Sequence, residues 1–234
     1  MTPDQPGTAP TPLDWTFFGR RSMTVARALL GKKLIRRLNG VTVSGLIVET
    51  EAYFGPQDSA SHAFKGRTSR NAVMFGPPGK AYVYLIYGLH HMLNVVTEAD
   101  GVPGAVLLRA VEPLEGRQHM AARRGQTTNL TNGPGKLCQA FAIDRSLNGW
   151  DFSRGNCLWL EACQPLTDEQ IATGPRIGIN YARPAERQAP WRFWIKNNPH
   201  VSAAGGTHRN SPHQFPPVPT SSNALFSKAP KADS

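Results

Sequence analysis

Residues 32–53 read KKLIRRLNGVTVSGLIVETEAY, and the architecture is decided there. Residues 32–38 and 41–51 are strand-like, and Asn39-Gly40 between them is the strongest short-range signal for a two-residue hairpin turn. Outward from this hairpin the pattern repeats. Residues 81–87 and 92–97 form a second strand pair with Gly88 at the bend, and residues 106–111 read as a further buried strand. Residues 176–180 and 191–196 are expected to be the last two strands. Helices are short and scattered: residues 23–30 with Ser22 as N-cap and Gly31 as the stop, and a helix opened by Pro134 and running to about Phe141. Thr167 and Gln170 make a capping box for another. Hairpin strands with scattered helices point to a mixed α+β fold on an antiparallel sheet, not to a βαβ alternation.

The chain of 234 residues is 40% hydrophobic, enough for one domain with its own core. Residues 13–201 are expected to hold that domain. Residues 1–12 carry four prolines and read as a flexible tail, and residues 202–234, rich in Pro, Ser, Ala and Gly, read as a second tail without fixed structure. Lys and Arg number 26 against 16 Asp and Glu, a formal charge of +10 with a pI near 10.0. Such a surplus suits a polyanionic partner, nucleic acid before an anionic membrane. No window reaches the ~18 apolar residues of a membrane span, and the opening MTPDQPGTAPTPLDW lacks the basic start and apolar run of a secretory signal. Cys138, Cys157 and Cys163 cannot all pair within one chain, so they read as small core residues of a protein in a reducing cytoplasm.

Several chemistries are excluded. Gly76-Pro77-Pro78-Gly79-Lys80 lacks phosphate-loop spacing, and Ala81 stands where a Ser or Thr is needed. His90 and His91 are adjacent, so on a strand they face opposite ways, and no metal is expected. There is no GxSxG.

The chemistry-bearing stretch runs from Val48 to Arg109. Glu49 and Glu51 alternate with Thr50 and therefore share one strand face. A carboxylate at the edge of a core is either salt-bridged or used, and composition leaves both open. Tyr53, His62, Tyr82, Tyr84 and Tyr87 fall within 35 residues of a chain with five tyrosines. Any one of these rings could simply be core. Together they are the inventory needed to hold a purine extruded from a duplex by stacking and edge hydrogen bonds. Arg67, Arg70 and Lys80 interleave with them, as on surfaces that grip phosphates while bases stack.

These residues resemble the alkyladenine (3-methyladenine) DNA glycosylase family. The match runs through Glu49-Thr50-Glu51-Ala52-Tyr53, Asp58, His62, Arg70-Asn71, Met74-Phe75 and Tyr82-Val83-Tyr84-Leu85-Ile86-Tyr87-Gly88. It continues through Asn94, residues 107–116 (LLRAVEPLEG), residues 133–140 (GPGKLCQA) and Arg176-Ile177-Gly178-Ile179. It covers nearly all of residues 13–201 and neither tail. The resemblance implies a monofunctional hydrolase that needs no cofactor. Glu51 would be the general base for the attacking water, Arg109 would orient carboxylate and water, and the main-chain carbonyl of Ile177 would be a further water ligand. Tyr53, His62 and Tyr84 would contact the flipped base, with Asn94 on the pocket floor against the exocyclic amine of normal guanine. Tyr87 would fill the gap left in the duplex. Arg70 and Lys136 would contact phosphates, Lys136 at a helix start where backbone N–H groups favour anions. The stretch from Asn94 to Arg109 is slightly longer than usual in the family, with Val102-Pro103-Gly104 in the added part.

The expectation is therefore an α+β protein: one domain on a curved, open-barrel-like antiparallel sheet flanked by helices, with a protruding β-hairpin. Its partner would be double-stranded DNA containing damaged purines, met as a monomer in the cytoplasm or nucleoid and not at a membrane. Two rivals make other predictions. A non-enzymatic DNA- or RNA-binding module accounts for charge and rings but not for the carboxylate pair. A nucleoside or nucleotide hydrolase would turn over small substrates without salt-sensitive duplex binding.

Overall fold

The computed structural model describes residues 11–163 and 165–202. Most of the expected N-terminal tail and all but Ser202 of the C-terminal one lie outside the described residues. The fold is α+β, with an eight-stranded antiparallel sheet that does not close on itself. Its strands are β1 (Lys33–Leu38), β2 (Val41–Tyr53), β3 (Ala81–Ile86), β4 (His90–Val96), β5 (Ala105–Pro113), β6 (Leu158–Glu161), β7 (Ile171–Gly174) and β8 (Arg192–Ile195). The helices are α1 (Trp15–Phe18), α2 (Ser22–Ala28), α3 (Arg117–Arg124), α4 (Pro134–Ala140) and α5 (Pro184–Gln188).

Asn39 and Gly40 turn the chain with φ of 50° and 77°, the left-handed pair that a two-residue hairpin requires, and β1 pairs with β2 from Leu38↔Val41 to Lys33↔Leu46. The main order is β3-β4-β5-β2-β1-β6, with β8 bound to both β2 and β7. The long β2 organises this branching. One edge pairs with β5 along most of its length. The other edge pairs first with β1 over 41–46 and then with β8 over 49–51. Register shifts against β5 fall at Ile47/Glu49 and Glu49/Thr50, where the partner changes. An irregularity of this kind re-aims side chains, and here it falls at Glu49, two residues before Glu51.

One face of the sheet packs against α2 and α4. Val43, Ile47, Ala52, Val83, Leu93, Val95, Val106 and Leu108 join Val25, Ala26 and Leu29 of α2 and Leu137, Cys138 and Ala140 of α4 in the main core. Cys138 is fully inside this core, and burial pushes its thiol up to about 12. Cys157 is half-buried and packs against this core, and Cys163 is half-buried.

Three expectations are corrected. Ser22 is the first residue of α2, not its cap. The Glu98 carboxylate accepts from the Ser22 N–H at 2.7 Å and from its hydroxyl at 2.8 Å, so a distant acid satisfies the helix start. Residues 176–180 are not a strand: Gly178 is left-handed (φ 80°) and breaks the extended path, and the strand here is β7, just upstream. The capping box at Thr167 opens only a single 3-10 turn, Asp168–Gln170. At the two ends of the described residues, Pro12 bridges Glu161 and Ser202 is buried.

Candidate active site

The register lines up side chains from five strands. Tyr82 lies opposite Asn94, Asn94 opposite Leu107, Leu107 opposite Glu51, and Glu51 opposite Arg192. Directly paired residues share a face, so these form one row across β3, β4, β5, β2 and β8. Residues two positions along stay on that face, which adds Tyr84, Arg109 and Tyr53. The main core takes one side of the sheet, and the polar and aromatic groups take the other beside a smaller cluster of Ala63, Met74, Tyr82, Val96 and Ala105.

Glu51 is fully buried. Its Oε1 accepts from the Ile177 backbone N–H at 2.7 Å and lies 3.3 Å from Arg109 Nη1, and its Oε2 accepts from the Tyr53 hydroxyl at 2.8 Å. A carboxylate offers about four lone-pair positions, so these partners leave room for a water. Burial works against the Arg109 charge, but the Glu51 and Glu49 carboxylates outweigh it and raise its pKa above the ordinary value. The Tyr53 hydroxyl is pushed well above its ordinary range, first by burial and then by the Glu51 charge. It stays a neutral donor to Glu51.

Tyr53 is held from the other side. Arg176 stacks over its ring at 4.5 Å and over Trp191 at 4.8 Å. Arg176 also grips the buried Asp58 through two hydrogen bonds of 2.6 and 2.8 Å. Asp58 in turn accepts from the backbone of Phe54 and Ala60. The loop after β2 is therefore clamped to the loop that carries Ile177.

Across the row, His62 meets Tyr84 edge to face at 4.5 Å, its Nδ1 lies 2.8 Å from the Tyr82 hydroxyl, and Arg70 covers Tyr84 at 5.7 Å. The His62 side chain is exposed as a whole, but its inner edge packs on the tyrosines. Desolvation of that edge, followed by the Arg70 charge, pushes the imidazole down to about 4. The unfolded chain then takes the proton first as pH falls. This group's stability contribution is present above pH 6.5 and is lost as pH falls through 4. An NMR titration of the His62 ring is expected to show a midpoint near 4; a midpoint near the ordinary 6.5 would contradict the packing.

Asn94 is buried and donates to the Tyr82 carbonyl at 3.0 Å. Tyr87 and Leu89 stand at the tip of the β3–β4 hairpin, 60% and 77% exposed. Tyr87 holds a left-handed backbone (φ 54°) there, an uncommon conformation for a bulky residue. Lys136 lies in α4, the helix packed against the core, and donates to Asn132 Oδ1 at 3.0 Å. The 97–104 connection is fastened by Thr97 N–H to Gly104 O and by Glu98 at the start of α2.

Sequence reasoning missed three members. Tyr181 is 62% exposed, and its hydroxyl donates to the Ala60 carbonyl at 3.1 Å. Its ring is exposed but its hydroxyl end is turned inward; that partial burial raises its pKa first, and Tyr87 and Glu51 add to the rise, so the fifth tyrosine stands near Tyr87 and Tyr84. The scarcity of tyrosine was the available signal. Arg192 and Ser202, which hold Glu49, had none. Among the described residues no group of His, Cys, Asp or Glu could hold a metal ion, and no helix is long and apolar enough to cross a membrane.

A fully buried carboxylate and a wall of closely packed aromatic rings thus share one side of the sheet. Residues 16–199 match the family model described as Methylpurine-DNA glycosylase (MPG), and the chain belongs to that family. It is thus a DNA glycosylase, an N-glycosyl hydrolase of alkylation repair whose substrate is DNA. Three relatives carry the name "Putative 3-methyladenine DNA glycosylase". The protein of Chlorobium phaeobacteroides is 48% identical over 194 residues, covering 82% of this chain and 96% of its own. That of Methanocella arvoryzae is 50% identical over 189 residues, 80% and 93%. That of Alkaliphilus oremlandii is 47% identical over 201 residues, 81% and 98%.

Proposed function

We propose that this glycosylase extrudes an alkylated or deaminated purine from duplex DNA and hydrolyses its bond to deoxyribose with a water activated by Glu51. The observation that carries the reading is Glu51 itself: buried, held by Ile177, Tyr53 and Arg109, and aligned on one sheet face with Asn94 and the tyrosine–histidine wall. The bond from the base nitrogen to C1′ breaks through an oxocarbenium-like sugar. Glu51 stabilises that cation and takes the proton as water oxygen bonds to C1′. Arg109 orients the carboxylate and the water, and the Ile177 carbonyl is a further water ligand beside its N–H. The electron pair of the broken bond leaves with the base. An N-alkylated purine carries positive charge and departs readily, and the faces of Tyr84 and Tyr53 attract that charge.

The names of the relatives favour 3-methyladenine among the lesions, with 7-methylguanine, hypoxanthine and ethenoadenine also admitted. Asn94 crowds the exocyclic amine of normal guanine. With a value near 4, His62 is neutral at pH 7 and serves as a wall of the pocket, not as an imidazolium proton donor. Tyr87 fills the vacated stack, as apolar wedges inserted into duplexes do, while Arg70 and Lys136 contact phosphates. Release of the base would start base excision repair, by a monomer in the cytoplasm or nucleoid and not at a membrane.

Substrate form tests this reading: duplex DNA with a methylated purine is expected to be turned over and the free methylated nucleoside not. Equal turnover of both would make the protein a nucleoside hydrolase. Tyr87→Ala is expected to weaken binding to lesion-bearing duplex about tenfold and binding to single strands much less. Equal weakening in titrations of both would remove the wedge.

A further inference from the structure

Glu49 is as buried as Glu51, and the mechanism above leaves it without a task. It is nonetheless heavily held. Its Oε1 accepts from Arg109 Nε at 3.2 Å, from Arg192 Nη1 at 3.0 Å and from the Ser202 hydroxyl at 2.9 Å, and its Oε2 accepts from the Ser202 backbone N–H at 2.8 Å. Arg109 divides its three nitrogens among this group: Nε on Glu49, Nη2 on the Ser202 hydroxyl at 3.4 Å, and Nη1 near Glu51 at 3.3 Å. A guanidinium is planar and rigid. Fixing the Nε and Nη2 edge therefore fixes where Nη1 stands against Glu51.

We propose that Glu49 and Ser202 are positioning residues: they clamp one edge of Arg109 so that its other end aligns the Glu51 carboxylate. The inference rests on the reading of Glu51 as the base, and it gives the chain beyond β8 a role. A turn at Asn198, whose side chain donates to Glu112 Oε2 at 2.8 Å and accepts from the His200 N–H at 2.9 Å, delivers Ser202 to Glu49. Ser202 lies past residue 199, where the family match ends.

Arg192 and Arg109 both lean on Glu49, so a substitution of Glu49 endangers folding. Ser202 gives the milder probe. In the full-length chain, Ser202→Ala is expected to slow single-turnover release of a methylated purine about tenfold while duplex affinity stays within about twofold. Ser202→Thr, which keeps both donors, is expected to restore the rate. A wild-type rate in Ser202→Ala would overturn the proposal. So would a parallel loss of rate and affinity with a lowered unfolding midpoint, or no rescue by threonine. Glu51→Gln in the same assay separates the two readings. If it still releases base, the assignment of Glu51 falls and this inference with it. If it is silent while Ser202→Ala runs at full rate, only the clamp is wrong.

Discussion

Glu51→Gln is expected to bind lesion-bearing duplex within about twofold of wild type while single-turnover base release falls about a thousandfold or more. Glutamine is nearly the same shape. Its amide oxygen can keep the 2.7 Å hydrogen bond from Ile177 N–H, and its NH2 can turn to the Tyr53 hydroxyl as donor. Arg109 retains Glu49 at 3.2 Å, so the variant leaves no buried guanidinium wholly unpaired. What is lost is the charge that stabilises the sugar cation and the site that takes the proton from water. Equilibrium titration and quenched single-turnover assays read the two halves separately. Normal release would remove Glu51 from the mechanism, and a matching loss of binding would recast it as structural.

Asp58→Ala is expected to have the largest effect on stability, about 3–5 kcal/mol, because it leaves a buried guanidinium without its partner. The Arg176 and Asp58 side chains are both 0% exposed and joined through two hydrogen bonds. Arg176 also fastens the Ala52 carbonyl at 3.0 Å and stacks on Tyr53 and Trp191. Its release would loosen the ring that donates to Glu51, so activity should fall with stability. Urea unfolding of Asp58→Ala and of Asp58→Ala with Arg176→Met measures this. The double variant, lacking the orphaned charge, is expected to recover part of the loss. A change under about 1 kcal/mol for the single variant would show that the pair does not hold the two loops together.

The β1–β2 hairpin was legible because Asn39-Gly40 has one favoured geometry and the flanking residues are apolar and β-branched. The β3–β4 hairpin was legible from its β-branched and aromatic residues and from Gly88 at its bend. Residues 176–180 misled. Arg-Ile-Gly-Ile has strand composition, yet Gly178 is left-handed and Arg176 is drawn inward by Asp58, a partner 118 positions away. Ser22 misled similarly, since its helix is capped by Glu98 from 76 positions away. The alternation of Glu49, Thr50 and Glu51 implied a shared face, and both glutamates do reach Arg109. The partners that complete the cluster, Arg192, Ser202 and the Ile177 N–H, come from the chain's last third, through contacts no local pattern announces. Local chemistry marked the carboxylates and rings, and long-range pairing decided which groups hold them.

The account turns on one act, the release of an intact damaged base from duplex DNA. Wild-type protein incubated in excess with a duplex carrying 3-methyl- or 7-methylpurines, and with one carrying hypoxanthine, is expected to liberate free methylated base and leave an uncut strand with an alkali-labile site. No free base from either duplex, with salt-sensitive binding intact, would contradict the account and leave a DNA-binding module without catalysis.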